Sequence, residues 1–358
     1  MRTLLCVTVI IVVPLFAACA QSIPGLTRAS KKVGLREVLS FDPYSDMYHP
    51  IDILVAFSKN AKRFGVLSVG NPHFTVYELD KDIKGIVAQG IGESSKANQS
   101  FIKTGKGVEL TCLSFHPDAQ SLAVGSATNS IFIWDLTKTY DKQDPFSTGL
   151  PVALILKGHT RLIKAVQYSR DGNLLASASE DSTIRFWHPA NGKLLRTISV
   201  GDKVTSLCFT SDSRQLIIGT DSAGVQVFNT TTGVRQLTLM GHRSKVTSVA
   251  TNGTGLVLSG GADSTVRVWN VHTGQLQQTY QWHSATVTDV GFLGESGYFV
   301  SIGRDKSMYV WEVGNDDEPV QTLNFGSGSL TMSIAAEANY VIVLERPANQ
   351  YHLYRLNR

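Results

Sequence analysis

The chain has 358 residues, 42% of them hydrophobic and 17% charged, with a formal net charge of +4. That composition excludes a disordered chain and supplies enough apolar side chain for a sizeable core. The mild charge, without clustered Lys and Arg, gives no nucleic-acid footprint.

The first element is an apolar run, LLCVTVIIVVPLFAACA (4–20), behind a single charge at Arg2. A basic start, an apolar stretch and an Ala-Cys-Ala ending fit a secretory signal peptide. The tetrad FAAC (16–19) also resembles a bacterial lipobox, in which Cys19 carries the lipid and is the one route to a membrane besides an uncleaved leader. Two readings compete with these. One is a marginal membrane anchor followed by Arg28, Lys31 and Lys32 on its cytoplasmic side; the other is a misplaced start codon. The expected placement is therefore secreted, periplasmic or membrane-anchored, and cytoplasmic under either competing reading. Residues 1–20 are read as leader, 21–32 as linker and 33–358 as one folded domain.

From residue 33 the chain is built of apolar, β-branched runs of 4–8 residues separated by Gly, Asn, Asp and Ser turns, which predicts strands throughout. VGLREVLSF (33–41) comes first and GNPHFTVYEL (70–79), ending near Tyr77, follows; SATNSIFIWD (126–135) then closes on Trp134. The clearest copies are SEDSTIRFW (179–187), GADSTVRVW (261–269) and GRDKSMYVW (303–311), with GTDSAGVQVF (219–228) between them. Their closing residues, Trp187, Phe228, Trp269 and Trp311, recur at a period that marks one supersecondary unit stacking on the next. RPANQYHLYRL (346–356) supplies a last copy ending at Tyr354.

These copies imply seven three-strand sets but only six outer-strand segments, from GIVAQGIG (85–92) to PVQTLNFG (319–326). VGLREVLSF is the natural donor for the last set, and pairing the two ends of the chain removes an open sheet edge. The expectation is an all-β, seven-bladed propeller of four-stranded antiparallel blades, closed by the N-terminal strand. The polar connections 93–106 and 138–150 read as solvated loops.

On the Gly-His pairs (Gly158-His159, Gly241-His242) and the Trp-Asp-like endings, of which Trp134-Asp135 keeps the literal dipeptide, the chain resembles the WD-repeat β-propellers. The resemblance implies a buried network in each well-kept repeat: His159, Ser177, Asp181 and Trp187; His242, Ser259, Asp263 and Trp269; His283, Ser301, Asp305 and Trp311. Asn71, Thr128 and Ala348 stand at the Asp position of the degenerate repeats, and in the fourth repeat Asp221 and Gly201-Asp202 take the places of the Asp and the Gly-His pair.

A Ser-His-Asp set invites a hydrolase reading, but one active site does not need three copies, and a nucleophile needs an open approach. No metal-ligand spacing, phosphate loop or paired carboxylate cluster occurs, so neither catalysis, cofactor nor metal is expected. Cys112 and Cys208 fall in different repeats and cannot meet in a disulfide.

The resemblance further implies a partner-docking face made of the loops into each first strand and the turns before each Asp. The positions are Leu162, Lys164 and Glu180; Lys203, Thr205 and Thr220; Lys245, Thr247 and Ala262; Thr286, Thr288 and Arg304; with Glu109 and Thr111. Lys164, Lys203, Lys245 and Arg304 against Glu180 make this face weakly positive, suited to an acidic peptide or protein loop; the same lysines also read as ordinary solvated surface. The function expected is a non-catalytic protein-interaction scaffold, with a ligand-binding or enzymatic central channel as the alternative.

Overall fold

The computed structural model describes residues 34–41, 52–58, 63–69, 74–79, 86–87, 109–137, 152–294, 297–315, 318–326, 328, 330–335, 340–345 and 350–357. The leader, the linker, both long loops, Asn71 and Ala348 lie outside these residues.

Every described element is a strand. The first, β1 (Gly34–Phe41), precedes blade one, which holds β2 (Asp52–Phe57), β3 (Arg63–Val69), β4 (Phe74–Leu79) and β5 (Ile86–Val87). Blade two holds β6 (Leu110–Phe115), β7 (Ser121–Ser126), β8 (Ser130–Asp135) and β9 (Val152–Lys157). Blade three holds β10 (Ile163–Tyr168), β11 (Leu175–Ser179), β12 (Thr183–Trp187) and β13 (Leu194–Ser199). Blade four holds β14 (Val204–Phe209), β15 (Gln215–Thr220), β16 (Gly224–Asn229) and β17 (Arg235–Met240). Blade five holds β18 (Val246–Thr251), β19 (Leu256–Gly261), β20 (Val266–Asn270) and β21 (Leu276–Tyr280). Blade six holds β22 (Val287–Phe292), β23 (Tyr298–Gly303), β24 (Ser307–Glu312) and β25 (Gln321–Asn324). Blade seven holds β26 (Leu330–Ala335), β27 (Tyr340–Glu345) and β28 (Gln350–Asn357), with β1 as its outer strand. All pairings are antiparallel, and the inner strand of each sheet lies beside the inner strand of the next, with β26 returning to β2.

The expected ring of seven like blades is corrected at blade one. Six sheets carry an outer strand of four to eight residues, whereas β5 has only two. Of the segment GIVAQGIG, assigned above to that outer strand, residues 85 and 88–92 lie outside the described residues. Side-chain packing likewise forms six apolar clusters among the described residues.

Burial explains the strand compositions. Second strands such as LASAS (175–179) are buried along their whole length, because both faces of a blade lie against neighbouring blades. Outer strands such as LLRTIS (194–199) are mostly exposed, so they tolerate charge. A typical layer sets Trp269 of blade five against Cys208, Ile217, Val225 and Val227 of blade four. Cys112 and Cys208 are free thiols on β6 and β14, and burial pushes them up to about 11 and about 12.

The turn between second and third strands repeats one conformation. Asn129, Ser182, Ala223, Ser264 and Lys306 all have φ between 61° and 68°. Alanine is the worst suited of these to the left-handed region, since its Cβ crowds the backbone and no polar side chain compensates. Ala223→Gly is expected to raise the unfolding free energy by about 0.5–1 kcal/mol, strain relief being partly offset by glycine's entropy. Urea unfolding checks it, and a lower midpoint would refute the strain argument.

Candidate functional site

Three blades carry the same chain of polar contacts. In blade three, Trp187 Nε1 donates to Ser177 Oγ (2.9 Å), Ser177 Oγ lies 2.7 Å from His159 Nε2, and His159 Nδ1 lies 2.8 Å from Asp181 Oδ2. Blade five repeats it through Trp269, Ser259, His242 and Asp263 at 2.8, 2.7 and 3.0 Å. Blade six repeats it through Trp311, Ser301, His283 and Asp305 at 2.9, 2.8 and 2.8 Å.

The donor inventory fixes the protons. An indole can only donate, so the serine hydroxyl accepts from it and passes its own proton to imidazole Nε2; Nδ1–H then faces the carboxylate. Each Asp also takes the amide of the residue after the His: Thr160, Arg243 and Ser284, at 3.0, 2.9 and 3.0 Å. In blade three, Thr183 adds its amide and hydroxyl to Asp181. The Asp therefore ties the loop entering the blade to the turn between its second and third strands.

Burial pushes the Asp181 carboxyl up, but hydrogen bonds from Thr183, the Thr160 amide and His159 outweigh it and bring it down to about 2. Asp263 is lowered in the same way, chiefly by His242 and the Arg243 amide against the cost of burial. Burial also holds His159 and His283 below the ordinary histidine value, although Asp181 and Asp305 pull the other way. Neutral imidazoles follow, consistent with the proton assignment.

These shifts predict acid sensitivity. The unfolded chain protonates its histidines below about 6.5 while the folded chain resists, so this contribution is fully present above 6.5 and lost as pH falls through it. The Asp181 contribution is present above 3.8 and lost as pH falls towards about 2. Asp289 acts oppositely: burial pushes it up to about 6, a contribution present below 3.8 and lost as pH rises through about 6. The urea midpoint is expected to fall between about pH 7 and about pH 5, and more steeply in Asp289→Asn. A midpoint that rises over this range would refute the neutral assignment.

The geometry rules out hydrolysis by these sets. Ser177, Ser259 and Ser301 are 0% exposed, so no substrate carbonyl can reach a hydroxyl that already serves an indole and an imidazole. Among the described residues no cluster of three or more His, Cys, Asp or Glu could hold a metal.

Blade four differs from its sequence reading. Its turn hydrogen bond, Asp221 N to Lys203 O, puts Asp221 at the place of Glu180, whose amide bonds Leu162 O. Ser222 is therefore the counterpart of Asp181, and Asp202 that of His159. The carboxylate comes from the other side: Asp202 Oδ2 accepts from the Ser222 amide (3.0 Å) and hydroxyl. Ile218 stands where the other blades have serine, and Phe228, with no N–H, needs none. Blade two pairs Ser126 with Thr128 at 2.7 Å, and blade seven sets His352 3.6 Å from Glu345.

The proposed partner face is assembled by matching backbone bonds. Ala127, Glu180, Asp221, Ala262 and Arg304 donate their amides to Glu109, Leu162, Lys203, Lys245 and Thr286. Thr220 is buried, and its place on the face belongs to Asp221. Threonines in this set have a structural task that the sequence did not disclose: at a bulge in each inner strand, Thr111, Thr205 and Thr247 donate to the carbonyls of Ile163, Val246 and Val287 in the next blade, at 2.6, 2.6 and 2.5 Å. Lys164 pairs with Glu180 (3.0 Å) and Lys245 with Asp221 (3.4 Å), whereas Lys203 and Arg304 have no ion-pair partner among the described residues. Lys203 and Arg161 act on Glu180 only through the field that, with Lys164, lowers its carboxyl.

On the axis, β10, β14, β18, β22 and β26 line a cavity of about 250 Å³. Arg170 and Asp289 are its charged lining residues, and most of the rest is apolar. The Asp289 carboxylate takes the Ser248 hydroxyl (2.5 Å) and the Val290 amide (2.9 Å).

Four-stranded sheets around an axis, tied internally from buried tryptophan to carboxylate, define a repeat propeller. The family model "WD domain, G-beta repeat" matches residues 99–135, 151–188, 233–270 and 274–312, passing over blade four, where the network is reversed. The chain is a WD-repeat protein. It is 34% identical to nuclear distribution protein nudF of Aspergillus flavus over 35% of this chain and 26% of that protein. It is 32% identical to the coronin-like protein crn1 of Schizosaccharomyces pombe over 31% of this chain and 18% of that one. It is 29% identical to the small ribosomal subunit protein RACK1y of Oryza sativa over 32% of this chain and 31% of that one. The chain thus matches about a quarter of the length of the nuclear distribution proteins nudF to which it is similar.

These relatives overturn the expected secreted, periplasmic or membrane-anchored placement: nuclear distribution and ribosomal subunits are intracellular matters. The leader motif is a short composition pattern, so it weighs less than these relatives.

Proposed function

We propose that the chain is a non-catalytic scaffold whose propeller, residues 33–358, holds protein partners on the loop face. The observation that carries this reading is the use of the polar residues. All three Ser-His-Asp sets are consumed in fastening loops to blades, so the network yields a rigid, exposed surface and no reactive group. Rigid loops lose little freedom on docking, which favours binding. By its description RACK1y is a component of a larger assembly, in keeping with a scaffold role here. The partner surface is a protein or peptide of acidic character, matched to Lys203 and Arg304.

The test is crosslinking of the chain in cells, compared with a chain reversed in charge at Lys164, Lys203 and Lys245. Protein crosslinks on the loop face that disappear in the reversed chain are the expected result. Absence of any protein crosslink there would overturn the reading.

A further inference from the structure

Trp282 stands apart from the other tryptophans. Trp134, Trp187, Trp269 and Trp311 are at most 2% exposed and fill the layers between blades; Trp282 is 46% exposed on the loop into blade six. It precedes His283 and so occupies the place held by Gly158 and Gly241 in blades three and five.

The structure shows why a large residue fits only here. A Cβ at Gly158 would run into the Arg185 guanidinium, and one at Gly241 would lie 2.6 Å from Arg267 Nη1 and 3.1 Å from the Trp269 ring. In blade six the corresponding third-strand residue is Tyr309, whose ring instead packs edge-on against His283 at 4.7 Å. No arginine stands at that strand position in blade six, and the indole is left 46% exposed.

Charge singles out the same sector. Across blades three to five the face partly neutralises itself, Lys164 on Glu180 and Lys245 on Asp221, leaving Lys203 unpaired among the described residues. At blade six the turn supplies Arg304 and Lys306, both exposed and without an acidic partner among the described residues. The neighbouring turn has Ala262 at the place held by Glu180 and Asp221 in blades three and four. Trp282 and Arg304 are held on one platform, because the Ser284 amide bonds Asp305 (3.0 Å) and the Arg304 amide bonds Thr286 O (2.8 Å).

We propose that Trp282, Arg304 and Lys306 form the anchor for an acidic segment of a protein partner, an apolar side chain lying on the indole and its carboxylates on the two cations. A rigid aromatic beside an arginine concentrates binding energy in this way, with charge setting orientation and approach. The inference rests on the scaffold reading and narrows it to one sector of one face.

The test uses the full chain and a dye-labelled synthetic peptide alternating aspartate with leucine and phenylalanine, followed by anisotropy and by acrylamide quenching of tryptophan. Since the other tryptophans are buried, quenching reports Trp282. Binding is expected to protect Trp282, to weaken with added salt, and to fall about tenfold in Trp282→Ala and in Arg304→Glu. Lys193→Glu, in the exposed turn between β12 and β13 at the other end of the blade, serves as the off-site control and is expected to bind as the parent does. Peptide binding unchanged in Trp282→Ala and Arg304→Glu, or no binding by the parent chain, would overturn the anchor. Loop-face crosslinks that survive Trp282→Ala and Arg304→Glu would leave the scaffold reading intact while removing this inference; loss of both would remove the two together.

Discussion

Trp269→Ala is expected to lower the unfolding free energy by about 3–5 kcal/mol, read as a drop in the urea midpoint. The side chain is 1% exposed and packs across the blade boundary onto Cys208, Ile217, Val225 and Val227, so its removal opens a cavity that rigid sheets on both sides cannot close. It also strands the Ser259 hydroxyl, which loses its indole donor. A midpoint indistinguishable from the parent would mean that blades four and five are not joined through this ring.

The second large effect is expected from a far smaller change. Ser259→Ala deletes one oxygen yet leaves two buried groups unmet, the Trp269 N–H and His242 Nε2. Leaving buried polar groups without partners costs about 2–4 kcal/mol in total. The comparison that isolates the cause is the same substitution in a Trp269→Phe background, where the indole N–H is already gone. There the cost is expected to shrink, and strict additivity of the two substitutions would refute the network account. Blade four has this swap built in, with Phe228 and Ile218 in place of tryptophan and serine.

The repeat was readable because strand geometry converts spacing into contact. Ten residues separate Ser177 from Trp187, Ser259 from Trp269 and Ser301 from Trp311, and a hairpin of that length puts hydroxyl and indole on one face. Blade four escaped because Asp221 is an attractive match to the repeat's Asp, and only the turn's backbone bonds show that Ser222 holds that place. The ion pairing on the loop face escaped for a related reason. The pairing of Lys245 with Asp221 joins two different blades, which no spacing within one repeat announces. The expected placement also lay beyond local pattern, because the leader motif is too generic to decide it.

One feature of the ring carries a consequence for its making. Blade seven is completed by β1, with Gly34 opposite Asn357 and Phe41 opposite Tyr351. β1 must therefore wait, without its partner, until β28, beyond all the other blades, has been made. Every other blade can fold as it emerges, but the circle shuts only when β1 finds β28. Closure of the ring is thus timed to its last blade, and a chain broken off before β28 would be left with an open edge ready to be recognised as unfinished.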